Sequence, residues 1–305
     1  MSESGFVLGI DLGGTKMALA TAGLDGALLR TERLPTEAAR GAEQALVRAL
    51  AAGSRLVEET VASTGGELQA VGLSTMGLTR TDGVVMAPNV PGWDRLTIPS
   101  LLRATFPEAP LGIENDVKAA TRAELRWGML RGCRTAIYLN LGTGIAAGLV
   151  VGGIVLDGAN GAAGEIAYNL RTPHEEMGAA HGRAPFEEYV GGRAIGERAA
   201  LRFGRPMTAQ EVFERVDSDP EARGLVEEVL AEMLFGVVNL TIAIDPERIA
   251  VGGGLMASGD LILPRLRAHL RRFAPFPPDV VASSVVHDAG LMGAVALALE
   301  ARIPT

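Results

Sequence analysis

Short apolar runs alternate with glycine-rich breaks along this chain. The run from Phe6 to Ile10 enters Asp11-Leu12-Gly13-Gly14-Thr15-Lys16, and Met17-Ala18-Leu19-Ala20 leaves it. That pattern predicts a strand, a tight turn and a second strand. The device recurs: Tyr138-Leu139-Asn140-Leu141 runs into Gly142-Thr143-Gly144, and an apolar stretch from Ala146 to Val151 follows. The segments beyond match too, Gly23-Leu24-Asp25-Gly26 against Val155-Leu156-Asp157-Gly158. Two such hairpins, each followed by another ending in Leu-Asp-Gly, imply a duplicated lobe.

Between and after these copies the period changes. Ala45, Leu46, Ala49, Leu50, Leu56 and Val57 recur at helical spacing and predict one long helix from Thr36 to Thr64. Ala70 to Ser74 reads as a buried strand ending at Thr75-Met76-Gly77, and Val84 to Ala87 as a short strand entering the loop Pro88-Asn89-Val90-Pro91-Gly92-Trp93. Leu111-Gly112-Ile113 is a strand ending in Glu114-Asn115-Asp116, after which Val117 opens a helix. Thr208 and Glu211 form a capping box before Val212-Phe213. Leu225 to Ile244 predicts a long, largely buried helix. Ile249-Ala250-Val251 predicts a strand running into a third glycine turn, Gly252-Gly253-Gly254, and an apolar helix follows Asp288. Strands alternating with helices make this an α/β chain.

Composition narrows the class of function. With 305 residues, 48% of them hydrophobic, the chain can bury one large or two medium cores. A net charge of −8 argues against nucleic acid and anionic membranes as partners. A lone cysteine, Cys133, excludes an internal disulfide and fits a reducing compartment. The opening Met-Ser-Glu-Ser-Gly is not a signal peptide, and no uninterrupted apolar run has the length of a membrane span, so a cytoplasmic protein is expected.

The chemistry gathers at the glycine turns and the strand ends. Gly13 and Gly14 free the backbone to take φ > 0 and leave no Cβ against a ligand. Successive N–H groups of such a turn can form an anion-binding nest. Thr15 adds a hydroxyl, Lys16 a cation, and Asp11 a carboxylate suited to a hydrated magnesium ion. An ordinary Gly-Gly hairpin also accounts for this stretch alone. The second copy favours the phosphate reading, because two such turns can grip a nucleotide's phosphates from both sides. At Asn115-Asp116, helix capping explains one polar residue and does not need both. The other stands where α/β enzymes place catalytic groups. Glu165, closing the glycine-rich middle, is a second candidate carboxylate. His174 and His181, seven apart without cysteines, read as surface loop rather than metal ligands.

Taken together, these landmarks resemble the ROK family of sugar kinases and sugar-responsive repressors. The resemblance runs from Asp11–Lys16 to Asp288-Ala289-Gly290-Leu291-Met292-Gly293-Ala294 and includes Pro88–Trp93, Glu114-Asn115-Asp116, Leu141–Gly144, Asp245-Pro246 and Val251–Gly254. It implies the α/β, two-lobed actin-like ATPase (ribonuclease H-like) fold with duplicated lobes. One lobe would comprise residues 1–117 plus 289–305 and the other residues 118–288. It further implies that Asp116 is the catalytic base and that Asn89, Asn115, Asp116, Glu165, Tyr168 and Glu187 line the sugar. Gly13, Gly14, Thr15, Lys16, Gly142, Thr143 and Gly144 would surround phosphate, and Gly253 and Gly254 would sit near adenosine. ATP and Mg2+ would be bound, the metal by Asp11 through water, and the chain would assemble as a homodimer. Two departures stand out. Family kinases carry Glu-x-Gly-His, whereas this chain has Glu165-Ile166-Ala167-Tyr168, and Gly178, Ala180 and Pro185 stand where three zinc cysteines belong. No structural zinc is therefore expected, and by the resemblance Tyr168 stands at the position of the family histidine; whether it takes over that sugar contact is left open by the sequence.

The expected activity is transfer of the ATP γ-phosphate to a hexose hydroxyl, O6 of a glucose-like sugar, with Asp116 as general base. Alternatives are a non-catalytic sugar-binding or regulatory protein, or a kinase using polyphosphate or another sugar such as fructose. A repressor is disfavoured, because only about five residues precede the first strand, too few for a helix-turn-helix.

Overall fold

The computed structural model describes residues 5–80, 83–85, 92–285 and 288–302. The chain forms two compact units: Met1–Arg126 with Asp157–Ala162 and His287–Thr305, and Trp127–Leu156 with Ala163–Val286.

In the first unit, β1 (Gly5–Leu12) pairs antiparallel with β2 (Lys16–Gly23), which pairs antiparallel with β3 (Leu28–Pro35). Strand β1 is apolar without a break from Phe6 to Ile10 because it is covered on both faces. Strand β3 is a polar, half-exposed edge. Helix α1 (Ala42–Thr64) lays Ala45, Leu46, Ala49 and Leu50 into one core with Leu8, Ile10 and Leu19. Strand β4 (Glu67–Thr75) pairs parallel with β1. A small hairpin, β5 (Leu78–Arg80) with β6 (Gly83–Val85), and α2 (Ile98–Thr105) follow. Strand β7 (Leu111–Asn115) then pairs parallel with β4 and passes straight into α3 (Asp116–Trp127). The sheet order is β3-β2-β1-β4-β7.

The second unit repeats the plan. Strand β8 (Ala136–Leu141) pairs antiparallel with β9 (Ile145–Val151), and β9 with the short β10 (Ile154–Val155). Helices α4 (Glu187–Val190), α5 (Gly192–Phe203), α6 (Ala209–Glu214) and α7 (Pro220–Ile244) intervene. Strand β11 (Arg248–Gly252) then pairs parallel with β8. After α8 (Gly259–Phe273), β12 (Asp279–Ala282) pairs parallel with β11. The order β10-β9-β8-β11-β12 matches the first sheet, strand for strand and direction for direction. Helix α7 buries Val226, Val229, Met233 and Val237 with Ile137, Leu139 and Ile249 of the sheet.

The last helix, α9 (Ala289–Ala301), belongs to the first unit and covers the face of the sheet opposite α1. Gly9, Gly72 and Gly112 stand side by side on β1, β4 and β7, in register. A Cβ on Gly72 would lie 1.9 Å from the Ala294 carbonyl oxygen, and one on Gly112 2.8 Å from that of Leu297. This row of glycines is the groove into which α9 settles.

Several boundaries differ from those the sequence predicts. Helix α1 starts at Ala42 rather than Thr36, because Gly41 at φ 86° breaks the chain after a 3-10 turn at Ala38–Arg40. Asp116 is the first residue of α3, not the end of a strand. The first unit extends to Arg126 rather than to residue 117, because α3 packs within it: Gly293 of α9 meets Ala119, and Arg122 pairs with Glu300. It also takes in Asp157–Ala162. The two Leu-Asp-Gly segments are not equivalent. Leu24-Asp25-Gly26 forms the β2–β3 turn, whereas the β9–β10 turn is Gly152-Gly153 and Leu156-Asp157-Gly158 lies past β10. Met86, Ala87 and the stretch from Pro88 to Pro91 lie outside the described residues. Among the described residues, no helix is long and apolar enough to cross a membrane.

Candidate active site

In the first unit the site begins at the turn between β1 and β2. Gly13 N–H donates to the Lys16 carbonyl at 3.1 Å. Gly13 does not use the left-handed region; glycine is required for space, since a Cβ would lie 2.7 Å from the Lys16 oxygen. Buried Thr36 braces the turn from the end of β3. Its hydroxyl donates to the Gly13 carbonyl at 2.6 Å, and its N–H donates to the Thr15 carbonyl at 2.9 Å. Nothing local in the sequence marks Thr36, because Gly13 is 23 residues away. Thr15 and Lys16 are exposed.

Asp11 lies just before this turn, against the start of α9, where a Cβ on Gly290 would stand 2.5 Å from its carboxylate. Burial lifts its pKa to about 6, and the charges of Asp116 and Asp288 push the same way. Lys16 and the Ser74 hydroxyl, which forms no well-shaped hydrogen bond, pull it down. A carboxylate left this costly to ionise suits a cation. One carboxylate plus the phosphates of a substrate is the usual donor set of a hydrated magnesium ion, so the residues fit the metal.

At the start of α3 the two polar residues divide their work. Asn115 Oδ1 accepts the Lys118 N–H at 2.8 Å and caps the helix. Asp116 Oδ1 accepts the N–H of its immediate neighbour, Val117, at 2.9 Å. Solvent reaches Asp116 although protein crowds around it, and that crowding holds its carboxyl above the ordinary range. Glu114 points the other way and is buried. It accepts from the Thr79 hydroxyl and from the Asn115 N–H, both at 2.8 Å. Asn89 lies outside the described residues.

In the second unit the Gly142-Thr143-Gly144 turn docks on the first residues of α5. Gly192 and Arg193 donate their N–H groups to the carbonyls of Gly142 and Thr143, each at 3.0 Å. Beside the turn opens a cavity of about 530 Å³ lined by Gly142, Thr143, Gly254 and Leu255 from the expected segments. Arg193, Glu197 and Met207–Gln210 add the helical wall. Gly253 takes φ 92°, and its Cβ would lie 2.4 Å from the Leu141 backbone, so only glycine passes there. The double glycine Gly191-Gly192 at the start of α5 and the Thr208 capping box are the sequence signals for that wall. The box forms as expected, with Glu211 Oε2 accepting the Thr208 N–H at 2.7 Å and Thr208 Oγ1 accepting the Glu211 N–H at 3.2 Å.

Glu187, first residue of α4, reaches the same turn: its Oε2 accepts the Ile145 N–H at 3.1 Å, in space Gly144 leaves open. Glu165 and Glu187 both act on Tyr168. Burial first, and then these two charges, raise its phenol pKa. The unit thus gathers Glu165, Tyr168 and Glu187. Just before them, Gly164 at φ 85° pairs its carbonyl with the Ala147 N–H at 2.9 Å.

Each duplicated sheet thus carries one glycine turn, with Asp116 at the start of α3 in the first unit and Glu165 and Glu187 after the strands of the second. Residues 7–301 match the model of the ROK family. The chain belongs to the ROK family. Glucokinase of Streptomyces coelicolor is 29% identical to this ROK protein over 97% of its chain and 98% of the relative. N-acetylmannosamine kinase of Escherichia fergusonii is 31% identical over 95% and 97%. The structure of a ROK family glucokinase from Streptomyces griseus, solved in complex with glucose and AMPPNP, superposes with a TM-score of 0.74 at 26% identity, covering 97% of this chain and 99% of that one. The fold is the actin-like, ribonuclease H-like ATPase fold, with duplicated lobes.

The segment holding Gly178, Ala180 and Pro185 in this ROK protein is secured by side chains. Arg183 Nε donates to both carboxylate oxygens of Glu188, at 2.9 and 2.8 Å, and Glu188 also accepts the Ala184 N–H. His181 Nδ1 accepts the Gly178 N–H at 3.3 Å. Tyr189 is sandwiched between the guanidinium groups of Arg171 and Arg198, 3.6 and 3.9 Å from its ring centre. Those arginines pair outward with Glu232 and Glu228. Among the described residues, no group of three or more His, Cys, Asp or Glu side chains is arranged to hold a metal ion.

Proposed function

We propose that this ROK protein transfers the γ-phosphate of ATP to a hexose hydroxyl, O6 of a glucose-like sugar, with Asp116 as general base. One observation carries the reading. Asn115 takes over the capping of α3, so Asp116 is left solvent-accessible at the helix start, with a carboxyl raised above its ordinary range. A base whose pKa is lifted toward the working pH is the better proton acceptor. Phosphoryl transfer asks the rest of the site mainly for positioning and charge neutralisation. Gly13, Gly14, Thr15 and Lys16 are proposed as phosphate ligands of the first unit, and Gly142, Thr143 and Gly144 as those of the second. The nucleotide would use the cavity beside Gly254. Mg2+, held by Asp11 through water, would neutralise phosphate charge. Asn115, Glu165, Tyr168 and Glu187 offer the directed acceptors and donors that a polyol needs, and the assembly is proposed to be a homodimer.

A second sugar is favoured by two observations. The N-acetylmannosamine kinase relative is 31% identical, and the sequence has Tyr168 where the family motif Glu-x-Gly-His would have histidine. A bulkier, non-basic contact there would alter which sugar fits. The test is a coupled assay of purified protein with glucose, fructose, mannose and N-acetylmannosamine, each with ATP and with polyphosphate. Turnover of a hexose with ATP and Mg2+ supports the proposal. Sugar binding with no turnover of any pair would leave the non-catalytic reading.

A further inference from the structure

Lys118 is only 1% exposed, a rare place for a lysine, and it stands two residues beyond Asp116 on α3. Its ammonium donates to two main-chain carbonyls, of Asp157 at 3.1 Å and of Gly161 at 2.6 Å. Glu114 Oε1 lies 3.8 Å away and supplies the counter-charge. A buried cation persists only with such partners. Both carbonyls belong to Asp157–Ala162, the stretch with which the chain briefly re-enters the first unit. The stretch is tightly seated. Gly161 takes φ 72°, and a Cβ there would lie 2.5 Å from the Thr79 carbonyl oxygen. Arg122 adds an exposed pairing to the Asp157 carboxylate at 3.3 Å.

Shortly beyond, the chain is pinned again, this time at the Gly164 carbonyl by the Ala147 N–H. Only Ala162 and Ala163 separate the two anchored glycines, and Glu165 follows at once, with Tyr168 in the 3-10 turn after it. So short a span leaves the Glu165 backbone little freedom while both anchors hold.

We propose that Lys118 is a positioning residue: its buried ammonium grips the Asp157 and Gly161 carbonyls and thereby fixes how Glu165 and Tyr168 are presented to the sugar. The inference rests on the proposed sugar kinase reading. Lys118 touches no substrate; it acts through the segment it holds.

The test compares Lys118→Met, which keeps the stem and removes the donors, with Lys118→Arg, which keeps the charge. Gly161→Ala displaces the same segment without touching Lys118. Steady-state KM values for sugar and for ATP are measured separately, with amide hydrogen exchange over residues 157–166 and thermal melting alongside. Losing hydrogen bonds to a charged group is expected to raise the sugar KM by about tenfold or more. The ATP KM should stay unchanged, residues 157–166 should exchange faster, and Lys118→Arg should recover part of the loss. Gly161→Ala should give the same sugar-selective signature, which keeps the test decisive where Lys118→Met folds poorly. An unchanged sugar KM, or equal losses for sugar and ATP accompanied only by lower melting, overturns the proposal. If the wild-type chain phosphorylates no sugar, the kinase reading fails by itself. Exchange then decides the tether: unchanged protection in Lys118→Met overturns it.

Discussion

Gly72 lies directly beneath Ala294, so close that a methyl group on Gly72 would stand 1.9 Å from the Ala294 carbonyl oxygen. The obstacle is backbone, in a helix buried along most of its length, so it cannot swing aside. Gly72→Ala is expected to destabilise the protein by about 1–3 kcal/mol or more, as overpacking does. Gly224 of α7 is the control, since nothing lies within 4 Å of where its Cβ would stand. Gly224→Ala should be neutral or stabilise by about 0.5–1 kcal/mol. Denaturant melts of both variants check this, and equal effects at the two positions would refute the glycine-row account of α9 packing.

That row marks where sequence reading stops. Apolar runs and glycine turns show both copies of the β1–β2 device, because period and punctuation are local. Glycine in a sequence signals a turn, yet Gly9, Gly72 and Gly112 serve inside strands. Their reason, the approach of α9, comes from the far end of the chain. Asn115 and Asp116 are legible as a pair with one capping role to fill; which one fills it requires the Asn115–Lys118 bond. Thr36, Arg193 and Lys118 are invisible for the same cause. Each acts on a segment distant in sequence, and no spacing rule connects a buried lysine to carbonyls 39 and 43 residues on.

Asp116→Asn should test the general base with little structural confusion, because the cap of α3 belongs to its neighbour. The expected loss in kcat is about 10²–10⁴-fold, with melting at neutral pH not lowered and, since a crowded charge is removed, raised if anything. Asn115→Ala should instead cost about 1 kcal/mol of stability through the lost cap. In the wild type, the acid limb of the kcat/KM profile should lie above the ordinary carboxylate range, as the crowding around Asp116 requires. Wild-type kcat in Asp116→Asn would remove the base from the mechanism.

Asp11 links the site to stability through pH. Its pKa rises from 3.8 unfolded to about 6 folded, mainly by burial. Between those values the folded state binds more protons than the unfolded state. Stability therefore falls as pH rises through that window, and the penalty is fully present above about 6. Asp11→Asn removes the penalty. Ligand-free Asp11→Asn should melt higher than wild type at about pH 7 to 8, and the gap should close toward about pH 4. The same variant should need more Mg2+ for activity, since its proposed water-mediated ligand is gone. Parallel melting curves across pH for the two proteins would contradict the assigned strain at Asp11.

A structural zinc site wants four thiolate or imidazole ligands in a tetrahedral cage. Between Tyr168 and Pro185 the only such groups are His174 and His181, and His181 already accepts the Gly178 N–H. The segment has another means of holding its shape, in the Arg183–Glu188 fork and the Arg171–Tyr189–Arg198 stack. Purified protein is expected to carry no stoichiometric zinc and to keep its activity after strong chelation followed by magnesium. Tyr189→Leu, which removes both cation–π contacts while keeping an apolar side chain, should loosen the segment and lower stability by about 1–2 kcal/mol. Because Tyr189 follows Glu187 on α4 by two residues, the sugar KM should rise with it. One equivalent of tightly held zinc per chain, with activity lost on its removal, would show that metal rather than arginine stacking secures this segment.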